Sequence, residues 1–407
     1  MMRRLHTGSL YWPTTLEHTA SYPQVNDHLR TKVAIVGGGM SGVVCGYTLT
    51  ESGIAALVIE RGEIAGGSTS ANTGLLQFCN DITLTQLTKQ IGEQSAVSFY
   101  RGCLQAVQDL GAAAAKLTGA AFYPRSSLYY ASTESDVAML VEEYEALREA
   151  GLSVELWTEE QIKAHFPFSK PAAIVTHGDA EVNPAKFVTQ LAEYATRSGL
   201  GIHEHTDIIE HLHDQHEGLH RLRTSSGHVI EAEHVIYAVG YEPEELRGNL
   251  IKAEMNRSFA GVTEVQDSEL LNSSWHQKWM LWESARPYLY LRTTEDGRIV
   301  IGGLDEEYPE PVQGDRSRHK RTDKLEHRLH ALFPELNSSL AYEWSATFGE
   351  SVDGLPFIGK DPERDGVYYC LGYGGNGTVY SMLGSQIIRD AIQGKTHPLA
   401  SIVRLDR

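Results

Sequence analysis

The sequence has little of what marks a metalloprotein, a secreted protein or a membrane protein. Cysteine is scarce: the 407 residues contain four, and no two of them form a C-x-x-C pair. This argues against zinc, iron–sulfur and dithiol sites. No apolar run reaches the roughly 18 residues of a membrane-spanning helix. Residues 1–22 lack the continuous apolar stretch of a secretory signal, so we expect a cytoplasmic protein with reduced thiols.

Positive charge is also scarce. The 35 lysines and arginines stand against 53 acidic residues, which gives a formal net charge of −18. Nucleic acids and anionic membranes attract positive surfaces, so we expect neither as a partner. The composition, 41% hydrophobic and 22% charged, is that of an ordinary globular protein. The length suggests about two to three domains.

A predicted βαβ unit near the N-terminus carries the clearest functional signal. A β-branched run over 32–36 precedes the glycine-rich segment 37–42 (GGGMSG), which fits G-x-G-x-x-G, and a predicted helix over 41–51 follows. A second apolar run, 54–60, ends in Glu60. In this context the glycines allow a pyrophosphate to approach the helix N-terminus, and the acid accepts hydrogen bonds from a ribose. We therefore predict a dinucleotide site, with a glycine turn that binds no ligand as the alternative.

Later segments resemble the D-amino-acid-oxidase-like flavoprotein superfamily, and its glycine-oxidase, sarcosine-oxidase and γ-glutamylputrescine-oxidoreductase group in particular. The resemblance runs from about residue 30 to the end of the chain. It rests on Glu60-Arg61, the donor-rich loop 66–76 (GGSTSANTGLL), and the segments 178–184, 233–241, 353–359 and 372–377.

This resemblance implies an α/β fold with two domains. One is a Rossmann-like FAD-binding domain with a parallel sheet, predicted from residues 30–95, 170–245 and 345–407. The other is a substrate domain on a large mixed or antiparallel sheet, predicted from residues 96–169 and 246–344, after an N-terminal leader over 1–29.

FAD is the cofactor that the resemblance implies. Its contacts are predicted at Gly37, Gly39, Met40, Ser41, Gly42, Glu60, Arg61, Ser68, Thr69, Ser70, Asn72, Gly74, Leu75, Ile208, Ala238, Gly240, Gly372, Gly375, Asn376, Gly377 and Thr378. Some superfamily members attach FAD covalently. Residues 346–348, where sarcosine-oxidase-like members carry a linking cysteine, contain none here, and Cys79 and Cys370 match no linkage pattern. We predict non-covalent FAD.

The segment 372–377 (GYGGNG) also fits G-x-G-x-x-G, which raises the alternative of a second nucleotide site. No strand ending in an acid follows it. We instead expect a glycine loop that directs the N-terminus of a helix over 378–393 toward the flavin. A positive dipole end there would stabilise the negative charge of a reduced flavin. Tight packing alone is the remaining alternative.

The substrate side departs from the glycine-oxidase pattern. Such members place a carboxylate-binding arginine four residues after a tryptophan, whereas here Trp344 is followed by Phe348 at that position. This favours a larger or less anionic amine. Tyr288 matches a pocket tyrosine of the family, and Tyr288, Tyr290 and Arg292 alternate onto one face of a predicted strand. We predict Tyr288 and Arg292 as substrate-site residues, with a surface arginine as the alternative.

Two other groups of residues are weaker candidates. Trp275, Trp279 and Trp282 are candidates for the pocket wall, with core packing as the alternative. The histidine-rich segment 203–220 suggests a metal, but no cysteine or carboxylate cluster completes a ligand set. We expect a solvated hairpin there and no metal site.

The sequence therefore predicts an FAD-dependent oxidoreductase. We expect it to take a hydride from the CH–NH group of a small amine or N-substituted amino acid, with oxygen or an electron carrier as the acceptor. The alternatives are a flavin-dependent 2-hydroxy-acid oxidase or dehydrogenase, an NAD(P)-dependent dehydrogenase and a non-catalytic dinucleotide-binding protein.

Overall fold

Two sheets organise the chain in the computed structural model, which describes residues 5–214, 216–241 and 251–407. Their strands are β1 (His6–Gly8), β2 (Leu29–Val36), β3 (Ala56–Ile59), β4 (Leu75–Leu76), β5 (Phe122–Tyr130), β6 (Val154–Thr158), β7 (Ala172–Val182), β8 (Gly201–His203), β9 (Ile208–Asp214), β10 (Leu219–Thr224), β11 (Val229–Tyr237), β12 (Ala253–Thr263), β13 (Met280–Glu283), β14 (Leu289–Thr293), β15 (Ile299–Glu306), β16 (Leu340–Ser351), β17 (Phe357–Lys360) and β18 (Val367–Leu371).

The helices of the described residues are also numbered in chain order. They are α1 (Met40–Glu51), α2 (Ser68–Ala71), α3 (Leu84–Ile91), α4 (Glu93–Ala114), α5 (Val137–Glu149), α6 (Glu159–His165), α7 (Pro184–Arg197), α8 (Ser268–Ser274), α9 (Asp315–Leu332) and α10 (Gly377–Ile392). Short 3-10 helices lie at Trp12–Thr15, Glu134–Asp136 and His276–Lys278. Within the described ranges, no helix has both the length and the apolar character needed to cross a membrane.

The smaller sheet confirms the predicted Rossmann-like unit. Its strands run in the order β17-β18-β11-β2-β3-β8, and the pairs from β18 to β8 are parallel. Helix α1 connects β2 to β3, whose register pairs Val33 with Ala56 and Val36 with Ile59. Val33–Val36 is buried throughout, as expected for a parallel strand that is covered on both faces.

The larger sheet confirms the second half of the predicted fold class. Its order is β1-β16-β12-β15-β14-β13-β5-β7-β4, with β6 also paired to β7. The neighbours are antiparallel except for the parallel pair β13–β5. Because β12, β14, β15 and β16 lie side by side, residues far apart in sequence line one wall.

The predicted domain boundaries remain a prediction, and two strands, β1 and β7, can be compared with them. The leader contains β1, which pairs with β16, and it contributes Trp12 to the buried core. Strand β7, placed by prediction in the FAD-binding segment 170–245, lies in the larger sheet. The loop predicted over 66–74 contains the short helix α2, in which Ser70 N donates to Gly67 O.

The histidine-rich segment is a hairpin, as predicted, but it is not fully solvated. His220 is 1% exposed, and its Nδ1 lies 2.9 Å from His211 Nε2, while its ring stacks on His213. Burial is the main cause that lowers the pKa of His211 and of His220 to about 4, so both rings are neutral at neutral pH. No group of metal-ligating side chains with suitable geometry occurs among the described residues.

Candidate functional site

A single long cavity runs from the carboxyl ends of the parallel strands to the wall formed by the larger sheet. Its first part surrounds the start of α1. Gly37 has φ +113°, and a Cβ there would lie 2.4 Å from Ala238 O. A Cβ on Gly42 would lie 1.8 Å from Gly37 O. Only glycine fits at these two positions, so the helix begins close against the strand ends.

Helix α1 presents its N-terminus to this cavity. Its N-cap is Gly39, which has no side chain to cap the helix. The Met40 N–H donates to Thr69 Oγ1 (2.9 Å), and Gly39, Met40 and Ser41 line the cavity. The uncapped first turn places backbone donors and the positive end of the helix dipole where an anion can bind.

Glu60 lies at the end of β3, as predicted for the acid of a dinucleotide site. Its Oε2 accepts from Gly38 N (2.6 Å) and its Oε1 accepts from Gly62 N (2.7 Å). These bonds fix the orientation of the carboxylate beside the cavity. An ionised carboxylate has about four lone-pair positions, so it can still accept hydrogen bonds from a ligand's hydroxyl groups.

A second helix begins at the same cavity. Helix α10 starts after the glycine loop 372–377 without a side-chain cap. Asn376 Nδ2 donates to Cys79 O (2.7 Å) and to Asn80 Oδ1 (2.8 Å), and Gly375 N donates to Asp81 Oδ2 (2.7 Å). The loop is therefore held by the segment 79–81, and it faces the cavity that α1 faces.

Most of the predicted cofactor residues line this cavity, but three do not. Gly42 packs behind Gly37, and Ser70 is buried with its hydroxyl donating to Ala65 O (2.7 Å). A Cβ on Gly74 would meet Val182 O at 2.1 Å, which places this residue against β7. The lining residues among those predicted are Gly37, Gly39, Met40, Ser41, Glu60, Arg61, Ser68, Thr69, Asn72, Leu75, Ile208, Ala238, Gly240, Gly372, Gly375, Asn376, Gly377 and Thr378.

The far part of the cavity, which we call the acidic end, is walled mainly by aromatic and acidic side chains. It comprises Asp81, Trp282, Tyr288, Tyr290, Asp305 and Phe348. Asp305 and Tyr290 both hydrogen-bond Ser258. Burial is the main cause that raises the pKa of Asp305 to about 6, and the charge of the neighbouring Asp81 contributes to this rise.

Glu350 stands behind this wall, where its Oε2 accepts from Asn256 Nδ2 (2.8 Å). Burial, followed by the charges of Asp81 and Asp305, raises the pKa of Glu350 to about 7. The nearest cation is the exposed Arg286, which donates to Asp81 O (3.0 Å) and lies over the ring of Tyr288. Sequence reasoning missed these carboxylates because they come from separate elements that only the fold brings together.

Arg292 does not reach the cavity, which corrects its prediction as a substrate-site residue. It is 2% exposed, and its guanidinium donates to the carbonyls of Thr73 (2.7 Å), Val182 (2.7 Å) and Thr293 (3.2 Å). It also lies 3.6 Å from the buried carboxylate of Glu181. Strand alternation puts Arg292 and Tyr290 on one face, but the loop 73–74 covers the arginine. Its role is to hold that loop.

The predicted tryptophans separate into two groups. Trp282 lines the cavity and stacks on Tyr129 (3.8 Å between centroids). Trp275 packs in the core of the larger sheet, stacked on Phe333 (4.5 Å), and Trp279 lies in the same core. Of the four cysteines, Cys79 lines the cavity, and its burial raises the pKa of the thiol.

The comparisons with known proteins agree with this geometry. Residues 32–391 match the model of the DAO family, described as FAD dependent oxidoreductase. The chain belongs to the DAO family of FAD-dependent oxidoreductases. Glycine oxidase of Geobacillus kaustophilus is 24% identical over 391 residues, covering 90% of this chain and 94% of that protein. Its crystal structure superposes with a TM-score of 0.79 over 93% of this chain and 99% of that chain, at 22% identity.

A second DAO-family relative is γ-glutamylputrescine oxidoreductase of Escherichia coli (strain K12). It is 22% identical over 393 residues, which covers 96% of this chain and 89% of that protein. The FAD-dependent oxidoreductase assignment and FAD as the cofactor, both predicted from the sequence, are thus confirmed at the level of the family.

The cavity suits FAD on its own chemistry. The glycine contacts at the start of α1 and the two uncapped helix N-termini fit a pyrophosphate and the electron-rich edge of a flavin. Two buried donors that line the cavity, Gln77 Nε2 and Trp282 Nε1, have no hydrogen-bond partner among the described residues. The carbonyl oxygens and ring nitrogens of an isoalloxazine are acceptors that would satisfy such donors.

Proposed function

We propose that this protein oxidises the CH–NH group of an amine. Bound FAD would accept a hydride from the carbon while the amine nitrogen releases a proton, and water would hydrolyse the resulting imine. The observation that carries the proposal is the composition of the acidic end, where carboxylates and aromatic rings form the wall. Among the described residues that line the cavity, the only arginine is Arg61, which follows β3 of the smaller sheet, whereas Asp305 lies in β15 of the larger sheet.

The charge of the substrate that the cavity can bind distinguishes this proposal from its alternatives. A 2-hydroxy acid or a simple α-amino acid carries a carboxylate, which proteins usually bind with an arginine fork. Phe348 lines the cavity where glycine-oxidase-like proteins were expected to place that arginine. An amine, in contrast, is attracted by Asp81 and Asp305, and its cationic form is also stabilised by aromatic faces. One relative, γ-glutamylputrescine oxidoreductase, is named for an amine substrate, which supports this class.

In this proposal, different parts of the fold bind FAD and surround the substrate. The first turn of α1 and Glu60 hold the pyrophosphate and ribose of FAD, and α10 directs its positive end toward the flavin. Bound FAD would supply the hydride acceptor, with oxygen or an electron carrier as the final electron acceptor. Trp282 and Phe348 exclude water from the reacting carbon.

Two tyrosines contribute as neutral groups. Burial is the main cause that raises the pKa of Tyr288 and of Tyr290, and nearby carboxylates add to it. Both phenols therefore keep their protons at neutral pH, and each can donate a hydrogen bond to a substrate without adding charge. Their rings form the wall on which the substrate's carbon chain packs.

Anaerobic reduction of the flavin tests the proposal. The purified holoenzyme is mixed without oxygen with primary amines, diamines, N-methyl amino acids, D-amino acids and 2-hydroxy acids, and the visible absorbance of the flavin is followed. Bleaching by an amine class supports the proposal. Bleaching by 2-hydroxy acids alone, or by no member of the panel, overturns it.

A further inference from the structure

The acidic end, together with Glu350 behind its wall, has more negative charge than one ammonium group would balance. Asp81, Asp305 and Glu350 interact electrostatically with one another, and Arg286 is the cation whose charge opposes theirs at both Asp305 and Glu350. Three carboxylates against one guanidinium leave a formal charge of −2 when all are ionised. Charge complementarity then favours a ligand with two positive charges.

Asp305 has an atom that the protein itself leaves without a partner. Ser258 occupies one side of the carboxyl group, but Oδ1 is buried and accepts no hydrogen bond from any described residue. A buried acceptor without a donor costs about 1–3 kcal/mol. Trp282, only 6% exposed, likewise has an indole N–H without a partner beside the same cavity. A ligand that brings an N–H donor to Asp305 would remove part of this cost.

The chemistry of amine oxidation limits which nitrogen can stay at Asp305. A nitrogen that expels a hydride from its neighbouring carbon must use its lone pair, so it has to be neutral at that moment. A nitrogen that remains a cation and keeps donating to a carboxylate is therefore a different one. The acidic end suits this second, non-reacting nitrogen.

We propose that the substrate is an α,ω-diamine or polyamine, whose non-reacting ammonium group is bound by Asp305 between the rings of Tyr288 and Tyr290. This inference rests on the proposed amine oxidation and specifies its substrate class. The carboxylate of Asp81 accepts a hydrogen bond from Gly375 N and thereby holds the glycine loop. Its charge adds to the negative potential of the acidic end.

Binding of an inert dication tests the inference separately from catalysis. An alkyl bisguanidine carries two cations with N–H donors and cannot give up a hydride, and an alkyl monoguanidine of equal chain length is its control. Each is titrated into the oxidised holoenzyme at pH 8, with the flavin spectrum as the readout. We expect the bisguanidine to bind at least about tenfold more tightly, since its second cation is still attracted by the negative charge that the first cation leaves unbalanced.

Two variants identify the residue responsible. Asp305→Asn removes the charge, and we expect the preference for the bisguanidine to fall to within about twofold. Glu307→Gln removes the same charge two residues away, at an exposed position outside the cavity, and should leave the preference intact. Flavin content and the unfolding midpoint show whether each variant is folded.

The wild-type protein also provides a test that needs no variant. Because the pKa of Asp305 is about 6, the preference for the dication should be lost as the pH falls below that value. Equal binding of the two guanidines at pH 8, or a preference that Asp305→Asn retains, overturns the inference. If either of these results is found but amines still reduce the flavin, the inference fails and the proposed function stands. If no amine reduces it although the bisguanidine binds, the proposed function fails instead.

Discussion

The hydroxyl of Ser41 lies 2.8 Å from the hydroxyl of Ser381, and this contact joins the first turn of α1 to the second turn of α10. The two helices pack side by side over their lengths, and Thr48 and Ser385 make an equivalent contact (2.8 Å) farther from the cavity. Both N-termini are thereby aimed into one cavity. The Ser41–Ser381 contact is the hydroxyl pair that lies at the cavity itself.

Removing the first contact should loosen the cofactor more than the fold. Ser381→Ala leaves α10 free to shift relative to α1, and we expect FAD to bind several-fold more weakly, with about 1 kcal/mol lost in the free energy of unfolding. Ser385→Ala is the matched control, expected to cost similar stability and to leave FAD affinity unchanged. FAD dissociation constants from fluorescence titration of both variants check this. Equal affinities would show that the contact is only structural.

Adding one methyl group at Gly42 should abolish FAD binding. In Gly42→Ala the new Cβ would lie 1.8 Å from Gly37 O, a backbone atom, so the turn or the helix must move. We expect a loss of several kcal/mol in stability and a colourless protein. Gly53→Ala, at the other end of α1, meets no atom within 4 Å and should cost only the strain of its positive φ, about 1 kcal/mol. A yellow, stable Gly42→Ala protein would contradict the packing described above.

Arg292 should prove to be a structural residue. In Arg292→Met, the buried negative charge of Glu181 loses a positively charged neighbour. The carbonyl groups of Thr73 and Val182 lose the hydrogen bonds that Arg292 donates. We expect a loss of about 3–5 kcal/mol in the free energy of unfolding, measured by urea denaturation. Relative activities across an amine panel should stay the same in whatever folded enzyme remains. A selective loss of activity toward substrates that carry a carboxylate would restore the arginine to a substrate role.

Glu350 should make the protein less stable as the pH rises. Its pKa is raised to about 7 in the folded protein, so the folded state holds a proton that the unfolded state has released between about pH 4.5 and 7. Stability therefore falls as the pH rises through this window. Glu350→Gln removes the effect and keeps an acceptor for Asn256. We expect it to be more stable than the wild type at pH 8, on the order of 1–2 kcal/mol, and little changed at pH 4.5.

Thermal unfolding at the two pH values measures this difference. Glu254→Gln is the control, because Glu254 is the exposed cross-strand partner of Glu350 and does not line the cavity. A stabilisation of Glu350→Gln that is equal at both pH values would mean that charge burial is not its cause.

The sequence predicted the parts of the molecule that depend on local patterns. A buried β-branched strand, a glycine turn and a helix give the βαβ unit almost residue by residue, since only glycine can place the turn against Ala238. The second glycine loop was also predicted correctly as the lead-in to a helix. Both signals are short-range, so neither needs knowledge of the rest of the fold.

The acidic end and Arg292 are features that local sequence patterns could not predict. Alternation along β14 predicts a shared face for Tyr290 and Arg292, yet it cannot say that the loop 73–74 lies over the arginine. Asp81, Asp305 and Glu350 come from three separate segments, and their closeness depends on how β15 and β16 pair with β12. Such long-range packing decides which charges face a ligand.

The cavity takes one wall from the first glycine turn and another from the helix that comes near the end of the chain. The described cavity is therefore complete only after α10 has been synthesised and has packed against α1. We expect nascent chains arrested before α10 leaves the exit tunnel to bind FAD more weakly than the released chain.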